Sequence, residues 1–187
     1  MSEYITQKKI IFPGSQILHN NLSDVNEKYF VYCSLYSAFI FNKSDFTLKG
    51  ILGDIKDNYI SAISLNKSNI DILALYYSTD ILIYNLITCK FAYSFTFLGI
   101  KQMNFNKDSL LLILNNNGEL YVAKADYTRF IYMNKINIDD DICNYFKWYP
   151  YSNDEFVYST NKNKIYYYSI SKDNNIDNNT LIDNIKN

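Results

Sequence analysis

The chain has 187 residues, of which 48% are hydrophobic and 20% charged, and 18 lysines and arginines nearly balance 19 aspartates and glutamates. This length and apolar content suffice for one ordinary domain with a core, and with only 5 Gly and 2 Pro the composition excludes a collagen-like or fully disordered chain. The net charge of −1 argues against a ligand held by bulk positive charge, so we expect no nucleic-acid partner.

The start of the chain shows no export signal. Met1 to Lys9 lack the apolar core of a signal peptide, and no stretch offers the roughly 18 consecutive apolar residues of a membrane-spanning helix. The cysteines, Cys33, Cys89 and Cys143, are odd in number and far apart, which favours buried thiols in a reducing compartment over disulfides. The sequence therefore predicts a cytoplasmic protein with no membrane insertion.

The first predicted elements lie in residues 1–52. Residues 9–12 form a short predicted strand, which ends at Pro13-Gly14. Four further short apolar segments follow, and their aromatic and β-branched residues favour strands. These segments are residues 16–19, 29–33, 38–42 and 47–52.

The next three units repeat. Apolar residues spaced three and then two apart occur in residues 60–65, again 40 positions later in 100–105, and after a further 43 in 143–148. Short apolar runs, each of strand length, follow at 72–77, 81–84 and 89–97, at 110–114, 120–123 and 130–137, and at 156–159 and 165–168. Asn117-Gly118 predicts a tight hairpin in which both residues have positive φ.

Four strands in each unit of roughly 40 residues predict an all-β β-propeller segment of about four blades. The blades are residues 16–52, 59–97, 99–137 and 141–170, preceded by segment 1–15 and followed by a polar, Asn-rich tail, 171–187, that we expect to be disordered. Heavy use of Asn is typical of an AT-rich genome, so the Asn content by itself indicates neither a structure nor a function.

At these residues the chain resembles the WD-repeat β-propellers. Triplets similar to the family's Ile-Trp-Asp end the third strands at 40–42, 83–85, 122–124 and 167–169, and Trp148 to Pro150 resemble the family's end of a first strand. The family's Gly-His pair and Trp-Asp dipeptide are missing, so its buried His–Asp–Ser–Trp network is absent or replaced. Residues 29–33, 61–64 and 141–143 are also similar to the amino-terminal propeller of WD-repeat protein seventeen-like proteins, which implies a longer protein with further blades and helical repeats.

Four blades are fewer than the seven usual in this family, and three interpretations remain. The chain is a fragment of a longer protein, or a four-bladed ring closed by residues 9–12, or an open arc completed by another chain. An open arc exposes two apolar blade faces and should be poorly stable alone. We favour the fragment, with the four-bladed ring second.

The sequence offers little catalytic chemistry. His19 is the only histidine, and a structural role is favoured over a dyad with a cysteine. Zinc would require about four closely spaced Cys or His ligands, and Asp139 to Asp141 lack the Gly and Glu of a calcium loop. The segment from Gly50 to Gly53 lacks the Lys-Ser/Thr ending of a phosphate loop. We predict no catalytic, cofactor-binding or metal-binding residue, no cofactor, and no enzyme activity.

Aromatic side chains have two interpretations, contact with a ligand or burial. Tyr166 to Tyr168 could stack on bases, and Trp148 could anchor a partner. For the tyrosines, alternation along the strand favours burial in the core. For Trp148, its register with Leu65 and Phe105 favours the core.

The resemblance implies a non-enzymatic scaffold that binds other proteins or peptides and, in a longer chain, packs against the remaining blades. In WD-repeat folds, partners dock on the face lined by the loops from the second to the third strand and from one blade to the next. The residues predicted there are Tyr59, Asp80, Asn116, Asn117, Asp140 and Lys162. Tyr59 is the strongest anchor, because exposed aromatic residues dominate interface energetics. The alternative is an enzyme or ligand-binding small propeller with a site in its central channel.

Overall fold

The computed structural model describes residues 22–34, 36–53, 59–67, 71–125, 128–138, 142–150, 152–170 and 179–182. Within these ranges the chain forms sixteen β-strands and no α-helix. The predicted strands at residues 9–12 and 16–19, including His19, lie outside the described residues, as do Asp139 to Asp141.

The strands form four separate antiparallel sheets, and in each sheet consecutive strands are neighbours. Sheet 1 contains β1 (Ser23–Val25), β2 (Tyr29–Ser34), β3 (Ser37–Asn42) and β4 (Leu48–Leu52); sheet 2 contains β5 (Ile60–Leu65), β6 (Ile72–Tyr77), β7 (Asp80–Asn85) and β8 (Lys90–Thr96). Sheet 3 contains β9 (Ile100–Phe105), β10 (Leu110–Asn115), β11 (Leu120–Ala125) and β12 (Phe130–Ile136); sheet 4 contains β13 (Cys143–Trp148), β14 (Glu155–Thr160), β15 (Ile165–Ser169) and β16 (Asn179–Ile182).

The second strand of sheet 2 shows why some strands are apolar on both faces. All six residues of β6 are buried. Because side chains alternate across a strand, Leu73 and Leu75 pack between sheets 1 and 2, whereas Ile72 and Ala74 pack between sheets 2 and 3. A strand between two neighbouring sheets therefore needs an apolar residue at every position.

Three buried clusters connect the four sheets in chain order. The first joins sheets 1 and 2, the second joins sheets 2 and 3, and the third joins sheets 3 and 4. The first strands follow the same order, since β1 contacts β5, β5 contacts β9, and β9 contacts β13. Among the described residues, no buried cluster joins sheet 4 to sheet 1. The described residues therefore form an arc of four sheets in chain order, with sheets 1 and 4 at its two ends.

The open end of the arc at sheet 1 is apolar. Strand pairing places seven apolar side chains on the side of the sheet that faces away from sheet 2. We call the surface that they form the sheet 1 outer face. Its members are Val25, Phe30, Tyr32, Phe39, Phe41, Leu48 and Ile51. Val25, Leu48 and Ile51 are exposed, and none of the seven belongs to a buried cluster.

The open end at sheet 4 is more polar, so the expectation of two apolar blade faces holds at only one end. Lys147, Val157 and Tyr167 lie side by side on the face directed away from sheet 3. A hydrogen bond with Glu155, followed by burial, raises the pKa of Tyr167 to about 12. Charged and hydroxyl groups on this face are compatible with contact with water.

The fourth strand of sheet 4 comes from the segment predicted as a disordered tail. β16 pairs with β15 in antiparallel register and is the fourth strand of sheet 4. In the interpretation as a four-bladed ring, residues 9–12 were expected to supply this fourth strand. Strand pairing uses backbone groups, so a polar, Asn-rich composition does not prevent it.

The turn at Asn117-Gly118 differs from the predicted hairpin. Gly118 has a φ of 79°, but Asn117 is not among the residues with positive φ. The turn extends over four residues, because Gly118 N donates to Asn115 O at 3.1 Å and Asn115 N donates to Glu119 O at 3.0 Å. The Asn115 side chain accepts hydrogen bonds from Asn117 N and Glu119 N, which stabilises this wider loop.

Tyr77 carries a buried hydroxyl with no hydrogen-bond partner among the described residues, and burial raises its pKa. We expect Tyr77→Phe to raise the free energy of unfolding by about 1 kcal/mol, because an unsatisfied buried hydroxyl costs roughly that much. Urea unfolding of both proteins measures the difference.

Tyr29→Phe is the matched control, because the Tyr29 hydroxyl donates to Asp71 Oδ1 at 3.2 Å. The same chemical change should there lower the free energy of unfolding by about 1–2 kcal/mol. If Tyr77→Phe also destabilises the protein, its hydroxyl has a partner and the prediction is wrong.

Candidate functional site

Loops leave each sheet at two ends, because every sheet is an antiparallel meander. At one end lie the turns between second and third strands and the connections between sheets; we call this end the loop face. At the other end lie the turns after first strands and after third strands, and we call this end the opposite face. Of the six residues predicted to bind partners, the five that the structure describes belong to the loop face by topology.

Tyr59 lies on the loop face just before β5 and is 50% exposed. Its ring stacks on that of Tyr36, with centroids 5.3 Å apart and an interplanar angle of 24°. Tyr36 is in the turn between β2 and β3 and is also exposed. Two adjacent sheets thus present one pair of exposed aromatic rings.

The other predicted residues are distributed over sheets 2, 3 and 4. Asp80 accepts hydrogen bonds from Thr96 at 2.8 Å and Thr79 at 3.0 Å, so its carboxylate helps to hold the start of β7. Asn116 and Asn117 are exposed in the turn after β10, and Lys162 is exposed in the turn after β14. Asp140 lies outside the described residues.

Three apolar residues of the loop face were not predicted from the sequence. Tyr36, Leu98 and Ile142 are 44%, 69% and 49% exposed. The connections that carry Leu98 and Ile142 are fixed by backbone bonds, from Asn116 N to Gly99 O and from Asn161 N to Ile142 O. Large apolar residues in predicted turns were the signal available in the sequence.

Glu119 is the centre of a polar cluster at the edge of the loop face. One carboxylate oxygen accepts from Lys135 Nζ at 2.5 Å, and the other accepts from Asn115 at 2.7 Å and Tyr121 at 2.9 Å. These three donors, Lys135 foremost, lower the pKa of Glu119 to about 2. The cluster fixes the turn between β10 and β11.

The stabilising effect of Glu119 should depend on pH. A carboxyl with a lowered pKa stabilises the folded state above its unfolded pKa of about 4.3, and the contribution is lost as pH falls toward 2. Because the carboxylate is about one-third exposed, Glu119→Gln should cost no more than about 1 kcal/mol at pH 7. Urea unfolding of both proteins between pH 7 and 2.5 should show the difference in the free energy of unfolding shrinking as the pH falls; a difference that does not change with pH would contradict the prediction.

A cavity of about 540 Å³ opens near the opposite face, in the middle of the arc. All four sheets contribute to its lining, through first strands, the loops that follow them and, in sheet 1, the turn after β3. The lining residues are Val25, Asn26, Glu27, Lys43, Lys67, Gln102, Asn104 to Lys107, Tyr145 to Pro150 and Ser152. The sequence predicted no binding site at this cavity, because lysines that come from separate sheets share no sequence motif.

Three asparagines, spaced 40 residues apart, end the first strands of sheets 1 to 3 and are all buried. Asn26 Nδ2 donates to Asn66 O at 3.2 Å, which ties sheet 1 to sheet 2. Asn106 Oδ1 accepts from Asp108 N and Leu110 N, both at 2.8 Å, and its Nδ2 donates to Asn153 O, which ties sheet 3 to sheet 4.

Trp148 packs against the buried cluster between sheets 3 and 4, the place that its register predicts. Its indole packs edge-on against Phe156 with ring centroids 5.6 Å apart, and its Nε1 donates to Asn104 O at 2.8 Å. The remaining ring surface lines the cavity. Trp148 therefore packs against the core and also contributes to the lining of the cavity.

The described thiols are poor nucleophiles where they are buried. Burial raises the pKa of Cys33 and brings that of Cys143 to about 12, so both remain protonated at neutral pH. Within the described ranges, no three His, Cys, Asp or Glu side chains come together as a metal site. Among the same residues, no helix is long and apolar enough to cross a membrane.

Comparison with known proteins identifies the architecture. No protein-family model matches the chain, and no curated protein matches it significantly. Among solved structures it is similar to the β-propeller domain of Cps50 (Swd1) from Myceliophteria thermophila, with a TM-score of 0.67 and 9% sequence identity. The match covers 88% of this chain but 54% of that domain, so the chain spans about half the length of its structural relative. The chain therefore has an all-β, β-propeller fold of about four blades, as the repeat in its sequence predicts.

Proposed function

We propose that the chain is a non-enzymatic protein-interaction scaffold built on WD-repeat-like propeller blades, and that its loop face binds other proteins or peptides. The observation that carries this proposal is the stacked pair Tyr36–Tyr59, exposed where two sheets meet. Exposed tyrosines are over-represented among the residues that dominate binding energy at protein interfaces.

The loop face is suited to binding because its parts are fixed before a partner arrives. The two rings already stack on each other, so little side-chain entropy remains to be lost on binding. Backbone hydrogen bonds hold the connections that carry Leu98 and Ile142. A prearranged surface with apolar anchors and polar surroundings has the composition of a protein interface.

The loop face can be tested by selecting peptides from a displayed library on the wild-type chain and measuring their affinities by fluorescence anisotropy. Tyr36→Ser/Tyr59→Ser should weaken the selected peptides at least tenfold. Phe46→Ser/Ile87→Ser is the matched control, because both side chains are exposed at the opposite face, and it should change affinity less than twofold. Failure to enrich any peptide, or equal losses in the two variants, would contradict the proposal.

We further propose that the sheet 1 outer face packs against another blade in a longer chain. The support is its composition, which matches the apolar faces that pack between consecutive sheets, and the match to about half of a β-propeller domain. The similarity to WD-repeat protein seventeen-like proteins also implies further blades and helical repeats downstream.

The isolated chain should then self-associate through this face. Leu48→Lys/Ile51→Lys, at two exposed positions, should shift its solution mass toward the monomer. Phe91→Lys/Ile131→Lys, exposed on other fourth strands, should leave it unchanged. Sequencing of the full transcript should reveal more repeats of this period after Asn187; a stop codon there, with a monomeric and cooperatively folded product, would overturn the proposal.

A further inference from the structure

The cavity near the opposite face has an excess of positive charge. Lys43, Lys107 and Lys147 line it with exposed side chains, whereas Glu27 is the single carboxylate residue among the described residues that line it. Lys67 also lines it, but Asp24 holds its Nζ at 2.6 Å. Three cations from sheets 1, 3 and 4 therefore face one anion.

The acidic residues nearest in sequence do not remove this excess. Asp45 is in the same turn as Lys43, Asp108 follows Lys107, and Asp154 is in the loop after β13, but none of the three lines the cavity. The Asp154 carboxylate accepts a hydrogen bond from Ser152 at 3.0 Å. A ligand in the cavity would thus meet three lysines directly.

The walls between the lysines are aromatic and fixed. Tyr145 and Tyr149 are 53% and 46% exposed, and the Trp148 indole is held by its bond to Asn104 O. Gln102 is buried and donates to Phe146 O at 2.9 Å, which locks β9 against β13. The cavity is therefore formed before any ligand binds, and its volume of about 540 Å³ lies within the range of about 300–1,000 Å³ of ligand sites.

A short peptide fits this charge pattern better than a nucleic acid does. Nucleic acids gain affinity from a long track of cations along many phosphates, whereas this cavity offers three lysines around one concave site and the whole chain has a net charge of −1. We propose that the cavity binds a peptide segment rich in Asp and Glu, whose carboxylates pair with Lys43, Lys107 and Lys147 while its backbone lies on Tyr145 and Trp148. This site is separate from the loop face, so either proposal can fail without the other.

The test uses fluorescence anisotropy with a fluorescein-labelled peptide of about eight glutamates and, as neutral reference, the corresponding glutamine peptide. The wild-type chain should bind the glutamate peptide at least tenfold more tightly, and the affinity should fall as salt rises from about 0.05 to 0.3 M. Lys107→Glu/Lys147→Glu should weaken binding at least tenfold. Lys90→Glu/Lys101→Glu changes the net charge equally at exposed positions that do not line the cavity, and should change affinity less than threefold.

Three outcomes would overturn the proposal. The first is that the glutamate peptide binds no better than the glutamine peptide. The second is that both double variants, each shown by thermal melting to be folded, weaken its binding equally, which would mean that only bulk charge matters. A single-stranded uridine octanucleotide that binds more tightly than the peptide would assign the cavity to nucleic acid instead. Tyr36→Ser/Tyr59→Ser should leave binding of the glutamate peptide intact, which separates this site from the loop face.

Discussion

Gly53→Ala is expected to lower the free energy of unfolding by about 3 kcal/mol. Gly53 has a φ of 109°, a conformation that residues with a Cβ rarely adopt. A Cβ at this position would lie 2.4 Å from the backbone oxygen of Tyr36 and 3.1 Å from Ser37 Cα. Backbone atoms cannot rotate away as a side chain can, so β4 or the turn after β2 must shift. Urea unfolding measures the change.

Gly99→Ala is the matched control for this prediction. Gly99 also has a positive φ, 68°, but this value is in the left-handed helical region, and the nearest atom to an added Cβ is the Asn116 side-chain nitrogen at 3.1 Å. That exposed side chain can move, so only the backbone conformation should cost energy, about 1 kcal/mol. Equal effects at Gly53 and Gly99 would show that the contact with Tyr36 is unimportant.

Asn106→Leu should lower the free energy of unfolding by about 2–4 kcal/mol. The side chain is buried and satisfies two backbone N–H groups, of Asp108 and Leu110, and one carbonyl, of Asn153. Leucine has a similar volume but no polar atom, so these groups lose their partners in a poorly solvated site. The expected loss includes weaker docking of sheet 4 on sheet 3.

Two further variants separate the contributions of Asn106. Asn106→Asp keeps an oxygen for the two N–H groups but loses the donor to Asn153, so it should destabilise less than leucine does. Asn117→Leu replaces an exposed asparagine and should stay within about 0.5 kcal/mol of wild type. If Asn106→Leu is equally mild, the buried amide is not a structural tie between sheets.

The strands could be predicted because their signal is local. β5, β9 and β13 coincide with the three segments whose apolar spacing repeats, and β6 coincides with an apolar run of strand length. A residue in a sheet is buried on alternate sides, so one strand shows its pattern within six residues. Two short strands were not predicted: β1 (Ser23–Val25), where the first strand of the blade was expected at residues 16–19, and β16 (Asn179–Ile182), because both lie in largely polar segments.

The buried asparagines were missed for a different reason. Asn26, Asn66 and Asn106 recur every 40 residues, the same period as the strands, so the signal was present. The high overall frequency of Asn, which is typical of an AT-rich genome, hides this periodic signal. Composition explains how often a residue occurs but not why it recurs in register.

The sequence alone determined the all-β class, the number of blades and the end of the sheets at which each loop lies, because strand alternation and turn order are properties of neighbouring residues. Only the tertiary structure showed which sheets pack against one another, that Tyr36 stacks on Tyr59, and that Lys43, Lys107 and Lys147 line one cavity. These features join residues from different sheets, and their distances depend on how the sheets pack against one another. No local pattern of apolar residues records that packing, because the same alternating strand can face a neighbouring sheet, a partner or water.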